Sequence, residues 1–421
     1  MTSIDIVHEG EAGTWVVARA AQRNSATFIE YTDEHLARGV ELAPIHHPND
    51  MRVRSFQGSA PEHLPGLLAD ALPDSWGRLV LRRDMRRYGI EQPTPLQMLT
   101  WLGRRTMGAL TFRPVDGPPS LDGALVDLDR VQDEMLRHLA GLDAQDLPAD
   151  DVTRAAGSGA GGARPKIAAA FDADGVLVAD NGTVPNGSTS WLVKFHSSDD
   201  SPFLSAIEAT YLQMAAATGI TVCNHQLLRG SSGAQYLAVR RFDRVATADG
   251  QPLRVHMATA AGLLEAYPEY HQHRSYDDLI RLTRRITGDQ RDVAEMVRRA
   301  VFNVVAHNRD DHARNTSYLW SPTSAWRLAP AYDLTHSMGP RPDFVGGGPG
   351  EHYLDVAGKG TDISRSDLRR LSKPSGLKDS EIDEIVDAAI VATNSWAALA
   401  LENGVPADVV SQIAARLPAV T

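Results

Sequence analysis

The chain has 421 residues, more than one ordinary hydrophobic core accommodates, so two or three domains or lobes are expected. It is 43% hydrophobic and 23% charged, which excludes a disordered chain and a coiled coil. With 42 Lys and Arg against 53 Asp and Glu, the net charge of −11 argues against a broad basic face that holds nucleic acid unaided, while a local basic patch or a basic partner stays open.

In chain order, residues 14–19 and 26–31 alternate apolar and polar side chains and predict paired strands. Residues 64–88 repeat apolar positions at helical spacing, with Pro73 as a break. Residues 110–114 read as a further strand. Residues 115–153 are rich in Pro and Asp and predict a linker around a helix near 131–140. Residues 155–164 are glycine-rich. Strands are expected at 166–171, 176–179, 191–195 and 236–242, with a helix at 207–218. From about Met257 onward the pattern is mostly helical, as at 276–286, 292–306 and 380–394. The single cysteine, Cys223, excludes an internal disulfide framework and a multi-cysteine metal site. It lies in the apolar run 220–224, which reads as a buried strand with a structural thiol. The N-terminus lacks a basic stretch followed by an apolar one, and no apolar run approaches the ~18 residues of a membrane span. A cytoplasmic protein without membrane contact is therefore expected.

Asn308-Arg-Asp-Asp-His-Ala-Arg-Asn315 gathers two Asp, a His and two Asn just past an apolar helix. Asp310 and Asn315 have the D-x-x-x-x-N spacing of a kinase catalytic loop, where the Asp accepts the proton of the attacking hydroxyl and the Asn helps hold Mg²⁺. Asp311 competes with Asp310, one residue out of register. Eighteen residues on, Asp333 ends the apolar stretch Arg327-Leu-Ala-Pro-Ala-Tyr-Asp333, where a phosphoryl-transfer enzyme places a second metal ligand. Lys194 lies inside the apolar strand Trp191-Leu-Val-Lys-Phe195, where a cation needs an anion or a path to solvent. A pair with Glu208 that positions ATP phosphates fits. The stretch Gly157-Ser-Gly-Ala-Gly-Gly-Ala-Arg-Pro-Lys166 supplies backbone amides for phosphate oxygens but is not a Walker A loop.

These segments, with Val239-Arg-Arg-Phe-Asp-Arg244, Leu67-Leu-Ala-Asp-Ala-Leu-Pro-Asp-Ser-Trp-Gly-Arg78 and Gly103-Arg-Arg-Thr-Met-Gly-Ala-Leu110, resemble the HipA family of serine/threonine kinase toxins in order and over nearly the whole chain. The resemblance implies an α+β, protein-kinase-like two-lobed fold. It divides the chain into an N-terminal β-rich subdomain at 1–115, a linker and helix at 116–153, an N-lobe at 154–245 and a mostly helical C-lobe at 246–421. It carries over Asp310 as base, Asn315 and Asp333 as Mg²⁺ ligands, and Lys194 on the ATP α/β phosphates. Arg240, Phe242 and Asp243 become the hinge, with Phe242 near adenine and Asp243 near the ribose. Ser158 and Gly159 of the glycine-rich loop, and His312, join the nucleotide-binding set, and Ser158 becomes the autophosphorylation candidate. The expected cofactors are ATP and Mg²⁺. The expected partners are a small helix-turn-helix antitoxin, through which DNA is met indirectly, and a protein substrate such as an aminoacyl-tRNA synthetase. A nucleotide-binding corepressor, a small-molecule phosphotransferase and a metal phosphohydrolase built on His307 and His312 remain as alternatives.

Overall fold

The computed structural model describes residues 2–24, 26–57, 63–118, 123–140, 155, 158–162, 164–247, 250, 252–267, 274–338, 350–418 and 420. Residues 119–122 and 141–153 of the expected linker, and Ala156, Gly157 and Ala163 of the glycine-rich stretch, lie outside them.

Strands β1 (Thr2–Gly10), β2 (Gly13–Arg23), β3 (Ala26–Tyr31), β4 (Arg54–Phe56) and β5 (Leu110–Arg113) form an antiparallel sheet in the order β4-β3-β2-β1-β5. The predicted pair becomes β2 and β3. Strand β1, between β2 and the edge strand β5, was not among the predicted ones; it buries Ile4 and Ile6 and also carries Asp5, His8 and Glu9. Helices α1 (Asp33–Arg38), α2 (Gly66–Ala69), α3 (Ser75–Arg87) and α4 (Pro95–Leu102) follow β3 and β4. The expected helical stretch at 64–88 divides into α2 and α3 at Pro73, whose ring cannot continue a helix.

Helix α5 (Leu128–Leu139) leads into a second antiparallel sheet of β6 (Lys166–Phe171), β7 (Leu177–Ala179), β8 (Thr189–Lys194), β9 (His225–Arg229) and β10 (Gln235–Arg240), in the order β7-β6-β8-β10-β9. Val131 and Met135 of α5 and Trp76 and Val80 of α3 pack on its Ile167 and Val193. Helix α6 (Leu204–Ala217) is buried nearly all round, as its uniformly apolar sequence requires. The segment 220–224 is not a strand. It makes one bridge, Val222 to Ala331, and the Cys223 amide donates to the Ala331 carbonyl at 2.9 Å. Cys223 is buried, and burial pushes its thiol up to about 12, which leaves it structural.

The last part is helical, as read: α7 (Ala260–Leu264), α8 (Tyr276–Thr287), α9 (Gln290–Val305), α10 (Arg365–Arg369), α11 (Ser372–Ser375), α12 (Asp379–Asn394), α13 (Trp396–Glu402) and α14 (Ala407–Ala414). It also holds a three-stranded sheet of β11 (His256–Thr259), β12 (Ser317–Ser321) and β13 (Ala325–Leu328), in the order β11-β12-β13. One apolar core runs from Ile4, Val17 and Phe112 of the first sheet through Leu99 of α4 to Leu263, Val297 and Val301 of the helical part. Helix α2 meets α7 backbone to backbone: a Cβ on Gly66 would lie 1.9 Å from the Gly262 carbonyl oxygen. A second core packs α6 against Phe302, Trp396, Val410 and Ile413.

Candidate active site

A cavity opens between the second sheet and the helical part. The pleat of that sheet places its functional groups. Lys194 ends β8 and Lys166 opens β6, and the two stand directly opposite in the antiparallel register, so both ammonium groups reach the cavity from one sheet face. Leu192 and Val239 form an apolar wall, and Arg240, Arg241 and Phe242 follow at the end of β10. Phe242 tilts against Tyr332, with ring centroids 5.6 Å apart. Gly159 to Gly162 form the opposite rim, and Asn315 and Asp333 close the floor.

Lys194 Nζ donates to both Glu208 on α6 and Asp333. Burial alone would depress this ammonium, but Asp333 and Glu208 outweigh burial and raise it. Burial likewise works to raise Asp333, yet Lys194 and Lys166 hold it below the usual carboxylate range. Burial raises Glu208. The charge is therefore concentrated on Lys194 and Asp333, with Glu208 as the buried support of the lysine. Asp333 adopts φ +53, a left-handed conformation that few residues other than Gly occupy and that recurs at functional sites. Lys166 is fully enclosed, which lowers its ammonium, and it donates to the Gly161 carbonyl.

The catalytic-loop candidate is a turn between α9 and β12. Asn315 Nδ2 donates to the Asp310 carbonyl at 2.8 Å, so the two motif residues are fixed to one another. The Asp310 carboxylate is 40% exposed and does not line the cavity. Asp311 is settled differently. Its carboxylate is buried and accepts from Tyr276 Oη at 2.6 Å, His352 Nδ1 at 2.8 Å and the Tyr353 amide at 2.8 Å. It anchors the loop, which leaves Asp310 as the available acid.

Three expected site residues stand elsewhere. Asp243 does not line the cavity. Its carboxylate is fully buried and accepts from Arg241 at 2.9 Å, Arg244 at 2.7 Å and the Gly108 amide at 2.7 Å, because those arginines have no solvent to turn to. The ribose assignment is corrected accordingly. His312 faces a smaller neighbouring cavity with Asp311, packs edge-on against Tyr353 and lies 3.7 Å from Asp310, so it does not line the first cavity. Ser158 is 3% exposed, and among the described residues its hydroxyl has no hydrogen-bond partner, although its neighbour Gly159 lines the cavity. Sequence reasoning missed Lys166, although it opens an apolar strand as Lys194 closes one. It also missed Asp70 and Asp74, which reach the site from the N-terminal part. Asp70 lines the cavity and accepts from the Thr259 amide at 2.7 Å; burial pushes it up to about 6. Among the described residues, no group of three or more His, Cys, Asp or Glu is arranged to hold a metal, and His307 stacks on His336 away from His312.

The model of the HipA-like C-terminal domain matches residues 158–397, more than half of the chain, and that of the HipA N-terminal domain matches residues 8–113. The chain belongs to the HipA family. This HipA-family chain is 29% identical over 275 residues to "Putative kinase Y4mE" and 26% identical over 291 residues to "Putative kinase Y4dM", both of Sinorhizobium fredii. Each match covers 63% of this chain and 63% of the relative, so the shared region spans less than two thirds of those proteins. A solved structure of the Shewanella oneidensis MR-1 toxin–antitoxin system, HipA with HipB and operator DNA, superposes with a TM-score of 0.71 at 18% identity, over 99% of this chain and 96% of that one. The HipA fold seen there establishes the expected α+β, protein-kinase-like architecture. Among the described residues no single helix is long and apolar enough to cross a membrane.

Proposed function

We propose that this HipA-family chain is an ATP- and Mg²⁺-dependent serine/threonine protein kinase that acts as the toxin of a toxin–antitoxin pair. The observation that supports it most is the convergence of Lys194, Asp333, Asn315 and the glycine-rich backbone on one cavity, beside an exposed Asp310. The donor set fits the metal: an ionised Asp333 and the oxygen of Asn315, whose NH₂ is taken by Asp310, are hard oxygen ligands of the kind Mg²⁺ adds to substrate phosphates. When bound, the ion neutralises charge on the phosphates.

The chain's own groups divide the remaining work. Leu192, Val239, Met107, Met257 and Phe242 form apolar walls for the base, with Arg240 at the hinge. Lys194, steadied by Glu208, meets the α/β phosphates, and the Gly159–Gly162 backbone approaches them closely because no side chains intervene. Asp310, exposed where a protein hydroxyl can reach it, accepts that hydroxyl's proton. Ser158 is the autophosphorylation candidate. A phosphate there adds about −2 charge, which its buried position cannot accept, so the modified loop has to leave the cleft. The partner is a small helix-turn-helix antitoxin that carries the DNA contact, and an acidic chain of net charge −11 suits docking on a basic DNA-binding protein. The target class is a translation protein such as an aminoacyl-tRNA synthetase.

The test is labelled ATP added to purified chain and cell lysate, with identification of every labelled protein. Asp310→Asn should lose roughly 10²–10⁴ in rate with ATP affinity retained. Transfer at the wild-type rate by that variant refutes the base. Tight ATP binding by a wild-type chain that transfers nothing favours the corepressor reading.

A further inference from the structure

We infer that Asp74, in the N-terminal part of the chain, is a positioning residue for the nucleotide: its carboxylate ties the glycine-rich loop to the catalytic loop across the cleft. The inference rests on the kinase reading above. Asp74 occupies the N-cap of α3, with φ −91 and ψ −157. An Asp in that place ordinarily accepts a backbone amide from the first turn of its own helix. Asp127 does so for α5, accepting from the amides of Asp129 and Arg130 at 3.1 Å each, and Asp289 does so for α9. Asp74 makes no such bond. Its Oδ2 instead accepts the Gly162 amide and lies 3.5 Å from Arg314 Nη1, one residue before Asn315.

Both partners are placed for this. Gly162 sits at φ +106, a backbone conformation that L side chains rarely adopt, so any other residue that presented its amide in this way would be strained. The Asp74 and Arg314 side chains are 11% and 12% exposed, so solvent screens the pair weakly. The N-terminal part grips the same loop a second time. The Gly159 amide donates to the Arg105 carbonyl at 2.8 Å, and a Cβ on Gly159 would lie 2.6 Å from the Ala71 carbonyl oxygen. Asp74 thus forgoes its local cap to join the two loops that line the phosphate end of the cavity, and the subdomain outside the kinase core sets their separation.

The experiment compares full-length wild type, Asp74→Ala and Asp74→Asn by three readouts. These are hydrogen exchange of the Gly159–Gly162 amides without nucleotide, the KM for ATP beside kcat, and thermal melting. Asp74→Ala removes a charge-assisted acceptor, so loop exchange should quicken and the KM for ATP should rise roughly tenfold or more, with kcat changed less than about threefold. Asp74→Asn keeps an oxygen for Gly162 but no charge for Arg314, and should fall between. Melting should fall by roughly a few degrees in Asp74→Ala, because Arg314 loses its partner carboxylate, so loop exchange and the KM are the deciding readouts. Unchanged loop exchange and KM in Asp74→Ala overturn the tie. If that variant does not fold, Asp74→Asn decides by the same two readouts. Exchange is read without ATP, so a wild-type chain that transfers no phosphate refutes the kinase reading alone, and normal transfer with unaltered loop exchange in the variant refutes the tie alone.

Discussion

Removing Lys194 separates the electrostatic role of the site from its nucleotide role. Lys194 Nζ joins Glu208 and Asp333, whose side chains are 4% and 25% exposed. Lys194→Met leaves two close carboxylates without their shared cation. Breaking a buried pair in this way costs about 3–5 kcal/mol. Asp333 is partly exposed and keeps Lys166 nearby, so the lower end, about 3 kcal/mol, applies. At roughly 2–4 °C per kcal/mol for large domains, melting should fall by about 6–12 °C. The sign with pH follows from Asp333. Its folded value is depressed, so it adds stability above the unfolded carboxylate range and loses it as pH falls through the folded value. The variant lacks that depression, and the gap to wild type should be widest near neutrality and should narrow on acidification. Lys194→Met/Glu208→Gln should regain much of the lost stability while ATP binding, measured by calorimetry, stays weak. Wild-type melting together with wild-type ATP affinity in Lys194→Met would refute the reasoning.

Two further outcomes concern the N-terminal part. His8, stacked on Trp15 with ring centroids 3.9 Å apart, is pushed down by burial to about 4, and His256, whose Nε2 meets the Leu42 carbonyl, is pushed down by burial to about 3. The unfolded chain takes up these protons first, so stability should be level above neutrality and fall below pH ~6.5. Asp70, raised to about 6, acts in the opposite sense; these three groups together should cost about 3 kcal/mol by pH 5, and His138 and His336, each pushed down by burial to about 4, add to the loss. Urea midpoints at pH 7.5, 6 and 5 check it, and a level profile counts against neutral burial. Gly66→Ala should part α2 from α7, since its Cβ meets backbone atoms of Gly262 at 1.9 and 2.7 Å. A loss of about 1–3 kcal/mol or more is expected, with weakened ATP binding although Gly66 is outside the cavity, and an unaltered melting curve contradicts it.

Four of the five strands of the second sheet and the long helices α8, α9 and α12 were legible from their apolar patterns, whereas β9 (His225–Arg229) was not predicted. Lys194 was legible because a cation inside an apolar strand demands an explanation. Lys166, its cross-strand neighbour, was not, because a lysine at the first position of an expected strand, beside a glycine-rich stretch, looks solvent-exposed. The spacing to Asn315 favoured Asp310 over Asp311, one residue out of register, and burial with three donors on Asp311 sets it apart from the more exposed Asp310. Asp243 misled for the opposite reason. In sequence its carboxylate looks available, but in a dry interior the flanking Arg241 and Arg244 claim it. Asp70 and Asp74 act on a site formed some 90 or more residues later, a pairing that only the fold creates.

Arg254 donates to the carbonyls of Arg104 and Thr106 and, through Nε, to that of Gly108 at 3.0 Å, while Arg241 and Arg244 also donate to the Thr106 carbonyl. The stretch held in this way supplies Met107 to the base end of the cavity. The wall against which a base would rest is thus written in two distant parts of the chain. Modules exchanged at the gap from 113 to 158 would part Met107 from the three arginines that hold its stretch in place and from the rest of that wall.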